Sequence, residues 1–146
     1  MKVSGNWDEF ISDLNKEFIE DIIEPVNDAV EQSMLKGWVS AVSSTRVRTG
    51  RARFSWSLSV NGEGFTDVPA VPDTWYNHYG YPDYPEISFD LRNGDTIQLG
   101  NIVEYIDYLE EGSATISPPG FMLKNAITTI KRSLNVRLTN LRKRRK

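Results

Sequence analysis

The chain has 146 residues, 39% hydrophobic and 25% charged, which fits one soluble globular domain over residues 1–146 with a single core. It has no cysteine and one histidine, so disulfides, thiolate nucleophiles, Cys zinc sites and multi-His metal centres are excluded and no cofactor is expected. No apolar run reaches the roughly 18 residues of a bilayer span, so no membrane partner is expected, and MKVSGNWDEF lacks the apolar core of a secretory leader. The net charge of -3 hides two opposite ends: residues 1–31 hold nine of the twenty acids, whereas residues 131–146 hold eight bases and no acid.

Apolar residues recur at helical spacing from Trp7 through Phe10, Ile11, Leu14, Phe18, Ile22, Val26, Val30 and Met34 to Trp38, with acids opposite. Asn6 and Glu9 are spaced as a capping box. Pro25 lies inside the pattern, so a kink or break is expected near Glu24, and Gly37 stands near the expected end. Residues 43–50 read as a polar loop. Ala52, Phe54, Trp56, Leu58 and Val60 then alternate with Arg53, Ser55, Ser57 and Ser59, the pattern of a strand with one buried face.

Asn61-Gly62-Glu63-Gly64 closes that strand as a turn. Residues 65–85 hold four prolines with Trp75, Tyr76, Tyr79, Tyr81 and Tyr84, which predicts an ordered surface loop. Ile87, Phe89 and Leu91 read as a strand, Asn93-Gly94 as a hairpin turn and Thr96–Leu99 as its partner. Asn101 and Glu104 suggest a capping box for a helix with Ile102, Tyr105, Ile106 and Leu109 on its apolar face and Gly112 at its end. Ser117-Pro118 is expected to open the last helix, which buries Leu123, Ile127, Ile130, Leu134, Leu138 and Leu141 and frays over 142–146. The fold class is therefore α+β: a long N-terminal helix, a small antiparallel sheet, and two C-terminal helices packed on the sheet.

Few residues point to chemistry. His78 lacks a nucleophile or acid patterned around it and reads as a packed or surface residue. Asp107, Glu110 and Glu111 do not converge, because adjacent helical residues diverge, and they read as a solvated helix end. No catalytic residue is assigned. Arg46, Arg48, Arg51 and Arg53 form a basic knot, and at strand spacing Arg51 and Arg53 share a face able to meet acids or phosphate. The aromatic loop has the composition of an interface hot spot. The tail Arg142, Lys143, Arg144, Arg145 and Lys146 suits DNA or an acidic surface.

Two stretches carry a family resemblance: Val47-Arg48-Thr49-Gly50-Arg51-Ala52-Arg53-Phe54-Ser55-Trp56, and Ile97 through Ser113 with Asn101, Tyr105, Leu109-Glu110 and Gly112-Ser113, followed by Ser117-Pro118-Pro119-Gly120-Phe121-Met122. Their order resembles the neck or tail-completion proteins of tailed bacteriophages. The resemblance implies a structural virion protein, made in the host cytoplasm, and not an enzyme. It implies a homo-oligomeric ring (hexamer or dodecamer) joining the tail tube or its terminator to the portal and adaptor, with genomic DNA passing through the lumen. Arg48, Arg51, Arg53 and the aromatics Trp75 to Tyr84 are the expected interface. Thr49, Gly50, Trp56, Asn101, Tyr105, Glu110, Gly112 and Pro118 are the expected fold motif. The other reading is a small nucleic-acid-binding protein using the Arg46–Arg53 strand and the basic tail.

Overall fold

Ile19–Ser44 form one helix, α1, which packs against the last helix, two strands of the sheet and two short turns. The structure, a computed structural model, describes residues 2–3, 19–45, 51–65, 81–112 and 119–144. The remaining elements are strand β1 (Lys2–Val3), a helical turn α2 (Arg51–Phe54), strand β2 (Trp56–Val60), a 3-10 turn (Leu91–Asn93), strand β3 (Ile97–Asn101), helix α3 (Ile106–Glu111) and helix α4 (Met122–Arg144). The α+β architecture with a long first helix is as expected. The capping box at Asn6 and the apolar positions Trp7 to Phe18 lie outside the described residues.

α1 runs through Pro25 without a break. Pro25 is exposed and lies on the solvent side of the helix, not in its core face. The helix also passes Gly37 and ends at Ser44, taking in residues expected to be loop. Hydroxyls make that extension polar but satisfied: Ser44 Oγ donates to the Ser40 carbonyl at 2.6 Å, and Thr45 Oγ1 to the Ala41 carbonyl at 2.6 Å.

The sheet has the order β1-β3-β2, antiparallel throughout. Trp56, Leu58 and Val60 stand opposite Asn101, Leu99 and Ile97, so period-two alternation puts these six side chains on one face. That face meets α1 in the core formed by Met34, Trp38, Val42, Leu58, Ile97 and Leu99. The two-residue β1, which no periodicity announces, adds an edge beside Leu99 and Gly100.

Three expectations for the sheet change. The strand begins at Trp56, not Ala52, because residues 51–54 wind into a helical turn in which the Ser55 N–H bonds the Ala52 carbonyl at 3.3 Å. Its serines are also buried: Ser59 donates to the Glu63 carbonyl as the chain folds back through Asn61 and Gly62, both at positive φ (56° and 81°), the form of a type I′ turn. Residues 87–91 form no strand. The N–H groups of Asp90 and Leu91 instead donate to Asp95 Oδ2 (2.8 Å) and to Asn27 Oδ1 of α1 (3.1 Å). Asn93-Gly94 consequently closes a 3-10 turn instead of a hairpin, with Gly94 at φ 76°.

The third layer is α4, which packs along α1; α1, in turn, lies on β2 and β3. The expected direct seat of the last helix on the sheet is thus replaced by helix-on-helix packing. Ser33 Oγ donates to Ser133 Oγ at 2.9 Å, and Gly37 faces Ile130, so α1 and α4 run antiparallel. The buried positions of α4 are Met122, Ala126, Ile130 and Ser133. Leu123, Leu134, Leu138 and Leu141, expected in the core, pack only partly buried at its margin. Val136 is 54% exposed.

Gly37 permits this close approach. A Cβ there would overlap Ile130 Cγ1 and Cδ1, side-chain carbons fixed in the core. Gly37→Ala gains about 1 kcal/mol of helix propensity but overpacks the joint, which costs about 1–3 kcal/mol. Net destabilisation is expected in urea unfolding. Ile130→Ala should cost less in the Gly37→Ala background than in the wild type; additive losses would refute the contact as the cause.

Asp90 caps the 3-10 turn through Arg92 N–H at 3.0 Å. Hydrogen bonds from the Arg92 side chain, then the Arg92 N–H and the Asn27 amide, hold its pKa down from 3.8 to about 2. A carboxylate depressed on folding stabilises the fold above its unfolded pKa and loses that contribution as pH falls through the folded value. Thermal midpoints should therefore fall between pH 3.8 and about 2, and less steeply in Asp90→Asn. Asp95, lowered chiefly by the Asn61 amide, acts in the same direction and remains in that variant.

Candidate functional site

The residues singled out by sequence fall at joints between elements and on the outer helix faces. Trp56 is at the first joint. Its indole N–H donates to Thr45 Oγ1 at 2.7 Å, and its carbonyl accepts the Trp38 indole N–H at 3.0 Å. Asn101, at the end of β3, donates from Nδ2 to the Ala52 carbonyl at 2.7 Å and accepts the Val103 N–H at 3.0 Å. Asn101 is thus buried at a strand end and turns the chain two residues on, where a helix cap was expected. α3 starts later, at Ile106, with Tyr105 at its N-cap and no side-chain cap.

Arg51 and Arg53 do not share a strand face. Both lie on α2, where residues two apart diverge. Arg51 Nη1 pairs with Glu104 at 3.5 Å and its guanidinium stands 5.8 Å from the Tyr105 ring centroid. Glu104 therefore serves the arginine and not a capping box. Arg53 Nη2 donates to the Thr45 carbonyl at 3.0 Å and lies 4.7 Å from the Tyr81 ring centroid. These arginines tie the 51–54 turn to α1, to the start of α3 and to the segment after residue 80. Tyr84, 71% exposed, rests against Trp38 with ring centroids 5.7 Å apart. Arg46, Arg48, Thr49, Gly50, Trp75, Tyr76, His78, Tyr79 and Pro118 lie outside the described residues.

The second joint links α3 to α4. Glu110, expected at a solvated helix end, is 7% exposed. Its Oε2 accepts the Leu123 N–H at 2.9 Å and its Oε1 the Lys124 N–H at 3.1 Å. One carboxylate thus caps the first turn of α4, where free N–H groups and the helix dipole favour an anion. α4 starts at Met122 and not at Pro118. The Gly120 N–H bonds the Leu109 carbonyl at 2.8 Å, and the Phe121 N–H bonds the Glu110 carbonyl at 3.1 Å. A Cβ on Gly120 would stand 2.7 Å from the Leu109 oxygen, so only glycine lets the chain cross α3 this closely. Gly112 ends α3 as expected, at φ 79° with its N–H on the Tyr108 carbonyl at 2.9 Å.

The outer faces carry the charge. α4 holds seven bases and no acid, and Lys124, Lys131, Arg132, Arg142, Lys143 and Arg144 are exposed. Arg142 to Arg144 belong to the helix; Arg145 and Lys146 lie outside the described residues. Among the described residues, no helix is long and apolar enough to cross a membrane.

Sequence reasoning missed Asn27, Thr45 and the capping role of Glu110. Thr45 alone had a local signal, a hydroxyl at the end of a helical pattern. Glu110 and the 120–124 backbone meet only after α4 folds back.

No family model matches the chain, and no curated protein or solved structure is found to be similar to it.

Glu110→Ala leaves the Leu123 and Lys124 N–H groups without their cap and should cost about 1–2 kcal/mol in urea unfolding. Glu110→Gln keeps a carbonyl acceptor and should lose less. Equal losses would mean that the negative charge, which glutamine lacks, and not the carbonyl acceptor carries the cap.

Proposed function

We propose that the protein is a structural subunit of a tailed-bacteriophage neck or head-proximal tail, assembling into a ring that joins the tail tube to the portal region. Its work is assembly, not catalysis, and genomic DNA passes through the ring. The observation that supports the reading is how the motif residues of the resemblance are used. Trp56, Asn101, Glu110 and Gly120 each fasten one element to another, and Gly112 ends α3. Such a motif specifies a scaffold, and a scaffold that presents long charged helices outward suits contact with other proteins.

The nucleic-acid-binding alternative counts on the Arg46–Arg53 stretch and the C-terminal bases together. Arg51 and Arg53 are occupied by Glu104, Tyr105, Thr45 and Tyr81. The C-terminal part of α4, with Arg46 and Arg48 outside the described residues, would have to carry the affinity without them.

Negative-stain micrographs of the purified chain at low salt should show closed rings of one size with an open lumen. Single subunits at every salt that also fail to bind purified portal and tail-tube proteins would sink the reading.

A further inference from the structure

The outer face of α4 is basic along its length, and the chain carries an acidic counterpart at the same level. Antiparallel packing sets Ser33 beside Ser133 and Gly37 beside Ile130. Counting outward from those contacts at about 1.5 Å per residue, Glu24 of α1 is level with Arg142 and Lys143, and Glu31 is within about two turns of Arg132. The acids thus lie on the N-terminal half of α1, level with the C-terminal half of α4, and the basic stretch runs from the middle of α4 to its C-terminal end.

They point in different directions. At roughly 100° per residue, Glu24, Asp28 and Glu31 lie about 120–180° around α1 from Gly37, the position that meets α4. Lys131, Arg132 and Lys143 lie about 100–160° around α4 from Ile130, the position that meets α1. Glu24 and Asp28 are exposed and Glu31 half-exposed, and the three bases are exposed. Among the described residues no ion pair joins Glu24, Asp28 or Glu31 to Lys131, Arg132 or Lys143. The molecule thus has an acidic flank and a basic flank, level with each other and both facing away from the α1–α4 seam.

We infer that the subunit contact is heterologous, with the α4 face bearing Lys131, Arg132 and Lys143 docked on the α1 face bearing Glu24, Asp28 and Glu31 of a second copy. In a second copy of the same orientation α4 lies antiparallel to α1 of the first, the relation in which the two stretches run level with each other. A contact between two different faces propagates head to tail and closes into a ring when each step adds a fixed rotation. The exposed Val136 lies among the bases and adds apolar area to the contact. A polyanion would use the basic face and leave the acidic flank without a role. The inference rests on the assembly reading and names its surface.

Charge exchange tests it. One variant carries Glu24→Lys, Asp28→Lys and Glu31→Lys; the other carries Lys131→Glu, Arg132→Glu and Lys143→Glu. Circular dichroism checks that both remain folded. By light scattering the wild type should associate at low salt and fall towards the protomer mass as salt rises. Each variant alone should stay at the protomer mass, and an equimolar mixture should recover association, since each supplies the flank the other lacks. Variants that associate like the wild type overturn this surface and leave the ring reading standing. A wild-type chain that is protomeric at every salt overturns the contact. So does wild-type binding to duplex DNA that weakens with salt, is lost in the α4 variant and is kept in the α1 variant, which assigns the basic face to a polyanion.

Discussion

The fold depends on a small buried knot of hydrogen bonds where α1 ends and the sheet begins. The Trp56 indole donates to Thr45, whose hydroxyl donates onward to the Ala41 carbonyl, while the Trp38 indole reaches back to the Trp56 carbonyl. Asn101 closes the arrangement by holding Ala52. The helix end, the 51–54 turn, the start of β2 and the end of β3 therefore meet at one point. Each of these polar groups is out of water, and one left unpaired would cost about 1–3 kcal/mol. Both tryptophans add large apolar surfaces that fill the space between helix and sheet. This pairing of bulk with a satisfied N–H sets where α1 stops and hence where β2 starts.

From that knot, α1 becomes the middle layer. Trp38 faces the strands and its neighbour Gly37 faces α4, a change of direction that one step around a helix supplies. The two sides are packed by different means. The sheet side is filled by large side chains, whereas the α4 side is drawn close by Gly37, Ala126 and the Ser33–Ser133 hydrogen bond. Glu110 then fixes where α4 begins. With its start held by α3 and its middle held by α1, the helix has little freedom to rotate, so its bases face outward as a consequence of the core.

The long helices, the Asn61-Gly62 turn and the Gly112 stop were legible in the sequence because each depends on residues close in the chain. Periodicity reads α1 and α4 over many turns, and Pro25 misleads only by suggesting a break that its exposed position avoids. The errors share one physical cause. Ala52 and Phe54 alternate with Arg51 and Arg53 as a strand would, yet the carbonyl that decides their conformation is held by Asn101, far along the chain. Ile87 to Leu91 also alternate, but Asn27 and Asp95 capture the N–H groups a strand would use. Glu110 reads as a surface acid until the first turn of α4 arrives above it. Of the candidate interface, Tyr81 and Tyr84 are exposed, while Arg51 and Arg53 are turned to internal use. Composition reports that arginines are present; it does not report which carbonyl or ring is within their reach.

The residues that carry the resemblance and the residues that would carry the contact are different sets. Trp56, Asn101 and Glu110 face inward and make the scaffold, whereas Glu24, Asp28, Lys131, Arg132 and Lys143 face outward. Burial constrains the first set to particular shapes and hydrogen-bond partners, so few residue types fit. Exposure leaves the second set constrained mainly in sign of charge, which many sequences satisfy. A short motif is consequently better at indicating a scaffold than at indicating its partners. In the proposed contact the information about partners lies in the distribution of charge along α1 and α4, which becomes a surface only when the core has fixed which side of each helix faces water.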